Sequence, residues 1–251
     1  MSDRWDPAFI TQIPLFAVLE AAYNTCWRTR TDWPDIAEYN NAVAVTNYNG
    51  QPIRFIEQTT KSEEFTQGYE PSIYLRGEVL TRANNWHDFF NRLVWLTFPK
   101  TKALLNYWQY HLLKQRLPAQ KNRTPLENKL THLDENGIVA ISSNAHLIEL
   151  LKAQQWHTLF WQQRKAVQTD MQFFIIGHGL YEKALQPYIG MTGSALIFTQ
   201  SPDFFKRDLR ERINLVDNCM SEWLLRENNL AGLTKLTPVP VLGVPGWWKA
   251  N

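Results

Sequence analysis

Cysteine is nearly absent. Two residues, Cys26 and Cys219, stand far apart in a chain of 251, too few for a disulfide framework and lacking the close spacing of a thiolate metal motif. Excess charge is missing too: 26 Lys and Arg against 24 Asp and Glu leave +2, too little to call for a nucleic-acid partner. No apolar run approaches a membrane span. The opening MSDRWDPAFITQIPLF has an early acid and no extended apolar core, unlike a secretory signal. The expectation is a cytoplasmic protein with no membrane and no nucleic-acid partner; nothing in the sequence fixes its oligomeric state. Glycine-rich phosphate loops, dinucleotide fingerprints and an HExxH pair are also lacking, and Ser142 and Ser143 have no flanking glycines to form a nucleophile elbow.

What is present is apolar and aromatic. The chain is 44% hydrophobic with 11 Trp, 9 Tyr and 13 Phe, enough for a packed core over disorder. Helical spacing predicts segments over 11–26, 35–45, 100–117, 144–152 and 155–164, and a longest helix over 202–227. Short strands are expected near 53–57, 138–141, 172–176 and 195–199. The stretch GYEPSIYLRGEVLTR, punctuated by Pro71 and Gly77, is expected to be extended or looped, and QRLPAQKNRTPLE a flexible connection. Pro and Gly in TPVPVLGVPGWWKAN argue against regular structure there, with Trp247 and Trp248 pinning the tail to the body. The fold class is therefore α+β: a predominantly helical single domain, 1–251, with a few short strands and an N-terminal helical region 1–68 packed on the remainder.

The densest stretch is TRANNWHDFFNRLVWLTFPKTK, residues 81–102. Trp86, Phe89, Phe90, Leu93 and Val94 form one stripe of a central helix, with Asn84 or Asn85 as N-cap and Pro99 marking the far end. The other face carries His87, Asp88, Asn91 and Trp95, a set that suits a cleft wall better than open solvent. TRANNWHDFFNRLVWLTFPKTKALLN, LTHLDENGIVAISS, FFIIGHGLYEKALQPY and PVPVLGVPGWW together resemble the bacterial domain-of-unknown-function 3025 family, from about Tyr69 to Trp248. The resemblance brings no activity with it.

Three groups carry candidate chemistry. His87, Asp88 and Asn91 lie on the central helix. Asp134 and Glu135 precede Asn136–Gly137, where ordinary turn chemistry is the simpler reading. In GHGLYE, His178 and Glu182 stand four apart at the start of a helix that follows a strand, a pairing that suits a metal or an oriented general base. His87, Asp88, His178 and Glu182 are the expected catalytic residues and ligands of a divalent metal; Arg82, Asn85, Asn91, Asp134 and Glu135 are the expected binding residues, with Arg82 as an anion clamp. A metal requires neutral imidazoles, so binding is expected to weaken as pH falls through about 6.5. Two functions follow: a hydrolase acting on a small molecule or phosphoester through this cleft, or a non-catalytic module binding a ligand or protein. The basic segment Lys100–Arg123 is read as a solvated face.

Overall fold

Residues 4–23, 25–41, 44–58, 64–116 and 122–248 are described by the computed structural model. The fold is predominantly helical, with a few short strands in two small sheets. The N-terminal region begins with α1 (Phe9–Gln12) and continues in tight 3₁₀ segments, Pro14–Ala22, Thr25–Thr29 and Ile36–Asn40, where longer helices were expected. β1 (Arg54–Glu57) follows. The predicted loop at 69–81 is instead α2 (Tyr69–Arg76) and β2 (Glu78–Thr81), and β2 pairs parallel with β1. Pro71 sits in the first turn, where amides lack intrahelical partners. Gly77, at φ 72°, ends the helix in the left-handed conformation.

α3 (Trp86–Thr97) is the predicted central helix, and Asn85 caps it by accepting from the Asp88 amide at 3.0 Å. Phe89, Phe90, Leu93 and Val94 are fully buried. Phe89 lies within about 6.4 Å, centroid to centroid, of the rings of Trp5, Phe9, Tyr23, Trp27, Trp33, Tyr39, Trp86 and Phe90. The N-terminal region is thus stapled to α3 by aromatic contacts. Arg92 is buried on the same helix, its guanidinium stacked on Trp27 and donating to the carbonyls of Tyr39 and Ala22.

After Phe98, α4 (Pro99–Arg116) follows directly and is the longest helix among the described residues. Residues 117–121 of the predicted connection lie outside the described residues. α5 (Pro125–Asn136) runs directly into β3 (Gly137–Ser142), so Asp134 and Glu135 occupy a helix's last turn rather than a loop. α6 (Ala145–Lys152), a π-helical turn, α7 (Arg164–Asp170), β4 (Met171–Ile175), α8 (His178–Ala184) and β5 (Thr192–Thr199) follow. The helix expected over 202–227 divides into a 3₁₀ turn at Pro202–Lys206, α9 (Leu209–Leu224) and α10 (Glu227–Leu230).

The tail is not irregular throughout. β6 (Thr237–Pro240) pairs antiparallel with β5, completing a sheet of order β4-β3-β5-β6, and Trp247 and Trp248 pack on the core as expected. Its prolines are tolerated because β6 is an edge strand. β3, buried at every position, lies antiparallel to β4 and parallel to β5. Among the described residues no helix is long and apolar enough to cross a membrane.

Candidate metal centre

Three helix ends meet at the site: the first turn of α3, the last turn of α5 and the first turn of α8. Their approach depends on glycine. A Cβ on Gly177 would fall 2.4 Å from the Gly137 nitrogen, and one on Gly179 would fall 2.3 Å from Glu135 Oε2. At Gly177 the obstacle is backbone, so only a hydrogen fits; at Gly179 it is the Glu135 carboxylate, which a methyl would have to displace, so GHG lets α8 abut α5 and brings His178 against Glu135.

The His87 and His178 rings lie 4.5 Å apart, centroid to centroid, so the expected shared location of the two imidazoles is met. Both present Nε2 to Glu135: His87 at 3.1 and 3.3 Å from its two oxygens, His178 at 3.4 Å from Oε1. Donor atoms about 2.1 Å from one metal ion are ~3.4 Å apart at tetrahedral angles and ~3.0 Å apart at octahedral ones. The separation of each Nε2 from the Glu135 carboxylate falls in that range. Among the described residues, His87, Glu135 and His178 form the cluster whose ligand atoms all lie within 4.8 Å of one another. Two imidazoles and a carboxylate suit zinc, manganese or iron.

Behind each imidazole stands a second acid. Asp88 Oδ1 lies 3.0 Å from His87 Nδ1, and Asp88 also accepts from the Arg82 amide at 2.7 Å and from the Arg82 guanidinium at 2.8 and 3.0 Å. Asp88 therefore fixes the ring of His87, and Arg82 fixes Asp88. Asp134 Oδ2 lies 3.9 Å from His178 Nδ1, while its Oδ1 holds the buried Lys102 ammonium. Glu182 lies one turn beyond His178 on α8 and adds to the field that keeps Arg82 charged; the carboxylate between the imidazoles is that of Glu135. Asn85 serves as the α3 cap, and Asn91 donates to the Tyr69 hydroxyl at 2.7 Å.

The electrostatics of the two histidines diverge. Burial works against a charge on His87, but hydrogen bonds with Asp88 and Glu135 outweigh it and raise its pKa to about 10. Burial lowers His178 to about 4. Glu135, despite burial, is lowered to about 2 by its hydrogen bond with His87 and the charges of both imidazoles. Asp88 is likewise held well below the carboxylate range, since its bonds to His87 and Arg82 override desolvation. With Nδ1–H directed at Asp88, a neutral His87 would aim its Nε2 lone pair at Glu135, two acceptors face to face. Something positive belongs between them, a proton or a metal ion. His178 Nδ1 is buried without a hydrogen-bond partner.

Sequence reasoning passed over Lys102, Tyr69, Glu70 and Asn106. Lys102, Asn106 and Gln109 recur at helical spacing inside α4 and are all buried; that polar stripe on an otherwise apolar face was the available signal. His87, Glu135 and His178 each come from a different one of the first three motif segments, 81–106, 130–143 and 173–188. No curated protein and no solved structure matches the chain. A family model described as a protein of unknown function (DUF3025) matches residues 53–251, and the chain belongs to that family.

Proposed function

We propose that this protein is a metal-dependent hydrolase of a small molecule, with one divalent ion held by His87, Glu135 and His178. The observation that carries the reading is the convergence of both Nε2 atoms on one carboxylate at 3.1–3.4 Å. Three protein ligands leave positions open for water and substrate, the arrangement of a catalytic rather than a structural site. A divalent ion there supplies Lewis acidity and activates water. Asp88 holds His87 in the tautomer that offers Nε2, with Arg82 steadying Asp88, a carboxylate–histidine support common at such centres. The Lys102–Asp134 pair backs His178. With only two cysteines, far apart in the sequence, the setting we propose is cytoplasmic.

The test is elemental analysis of protein purified without chelator and reloaded with zinc, manganese or iron, followed by turnover of ester, amide and phosphoester panels. One ion per chain is expected, lost in His87→Ala and in His178→Ala, with hydrolysis that chelation abolishes. A wild-type chain that retains no ion after reloading overturns the reading. Retained metal without any turnover would leave a metal-bearing binding module.

A further inference from the structure

α3 and α4 form a wedge whose apex lies at Phe98. Near the apex, the Lys102 ammonium sits 5.6 Å from the Trp95 ring centroid. One turn out along α3 is Asn91, and one turn out along α4 is Asn106. The first turn of α2 bridges their ends. Asn91 donates to the Tyr69 hydroxyl at 2.7 Å, and Asn106 donates to the Glu70 carbonyl at 3.1 Å and its carboxylate at 2.8 Å. At its inner end the wedge is linked to the metal trio by contacts: Lys102 bonds Asp134, whose other oxygen lies 3.9 Å from His178 Nδ1.

The wedge is a polar interior with bonding capacity left over. Asn91 and Asn106 are at least nine-tenths buried, and the amide oxygen of each has no hydrogen-bond partner. Trp95 is fully buried, and its indole N–H has none either. Two acceptors and one donor are thus unmet along one wedge, on side chains that lie one helical turn apart on α3 and on the facing turn of α4. The outer part is rich in acceptors: two amide oxygens and the Glu70 carboxylate. The Lys102 charge is matched by Asp134, so the charge left over there is that of Glu70.

We propose that this wedge is the substrate subsite of the centre and takes the nitrogen cation, a primary amine or guanidine, of a small carbonyl compound. The cation faces Glu70, Asn91 and Asn106, and the Trp95 N–H donates to the carbonyl oxygen. An anionic end would face the Glu70 carboxylate and the two open amide oxygens. Burial raises the Glu70 pKa to about 7, and an incoming cation restores its charge by pairing with it. Tyr69, half exposed with its hydroxyl turned in to Asn91, stands at the mouth.

The subsite deepens the hydrolase reading and rests on it for its role, but its occupancy is measurable without turnover. Calorimetry on the full chain, metal-loaded and chelated, compares butylamine and methylguanidine with butyrate and butyramide. The two cations are expected to bind, and butyrate is not. Glu70→Gln should weaken the cations by about tenfold or more, and Asn106→Leu likewise, with melting curves showing that each variant is folded and elemental analysis showing that metal is retained. His87→Ala should lose the metal and still bind butylamine. The proposal is overturned if butyrate binds as well as the cations, if none binds, or if folded Glu70→Gln and Asn106→Leu both bind cations like the wild type. Failure of the metal reading shows separately, as a wild-type chain without metal.

Discussion

Loading the centre at pH 8 should release about one proton per ion, and that proton comes from His87. With a pKa of about 10, His87 is roughly 99% protonated at pH 8. His178, at about 4, is already neutral, and Glu135, at about 2, is already ionised. A divalent ion needs both imidazoles neutral, so it must displace the His87 proton and nothing from its other two ligands. Glu70, at about 7, is mostly ionised by pH 8 and contributes little. Two unperturbed histidines would release only about 0.1 proton between them. The assay is titration calorimetry with zinc in two buffers of different ionisation enthalpy. The difference in observed heat gives the proton count. The sign also sets the pH dependence: affinity should rise about tenfold per pH unit between about 4 and 10, in place of the single step near 6.5 expected from the sequence. Asp88→Asn removes the carboxylate that holds His87 charged, so its release should fall well below one. A wild-type release under about 0.3 proton at pH 8 would refute this account of the paired acids.

Gly179→Ala should cut metal affinity about 10- to 100-fold, because the added methyl falls where Glu135 Oε2 lies; an unchanged dissociation constant would contradict a ligand held in that position. Phe89→Ala should cost about 3–5 kcal/mol, since the side chain is fully buried among eight aromatic rings; denaturant titration reads it, and an unchanged midpoint contradicts the core assignment. RNA and single-stranded DNA should bind weakly at physiological salt. Arg116 pairs with Glu127, Lys100 bonds Asn218, and Arg123 bonds Thr131, so these basic residues of the Lys100–Arg123 segment have local partners; tight binding that collapses as salt rises would contradict this.

The helical period of α3 and the continuous apolar runs of β3 and β4 were legible because their burial is written in the spacing of their own residues. α2 and β6 were not. Their prolines and glycines read as loop punctuation, and only the position of each residue changes that. Pro71 falls in a first turn, Gly77 at a helix end, and Pro238 and Pro240 on an edge strand. Tertiary placement decided what local propensity left ambiguous. The N-terminal region failed differently. Its apolar residues suit a helix, yet Pro14 opens a nine-residue 3₁₀ segment and two shorter ones follow, packed around the aromatic residues of α3.

The candidate site divides along the same line. His87 and His178 stood out because each opens a helix beside an acid. The sequence neighbour and the spatial neighbour then part company. Glu182 follows His178 by one turn, but the carboxylate that reaches both imidazoles belongs to Glu135, 48 positions from His87. Asn136–Gly137 made Glu135 look like turn chemistry, whereas α5 passes into β3 without a turn and leaves the acid on a helix end. The clue lay in the glycines. In GHG the flanking residues are small because neighbouring backbone and the Glu135 carboxylate occupy the places their side chains would take. An imidazole held between two such glycines can be pressed against another segment, and that segment must itself end in a close approach. NG supplies it. DENG and GHG thus lie at two helix ends packed against each other, with His178 and Glu135 at the contact.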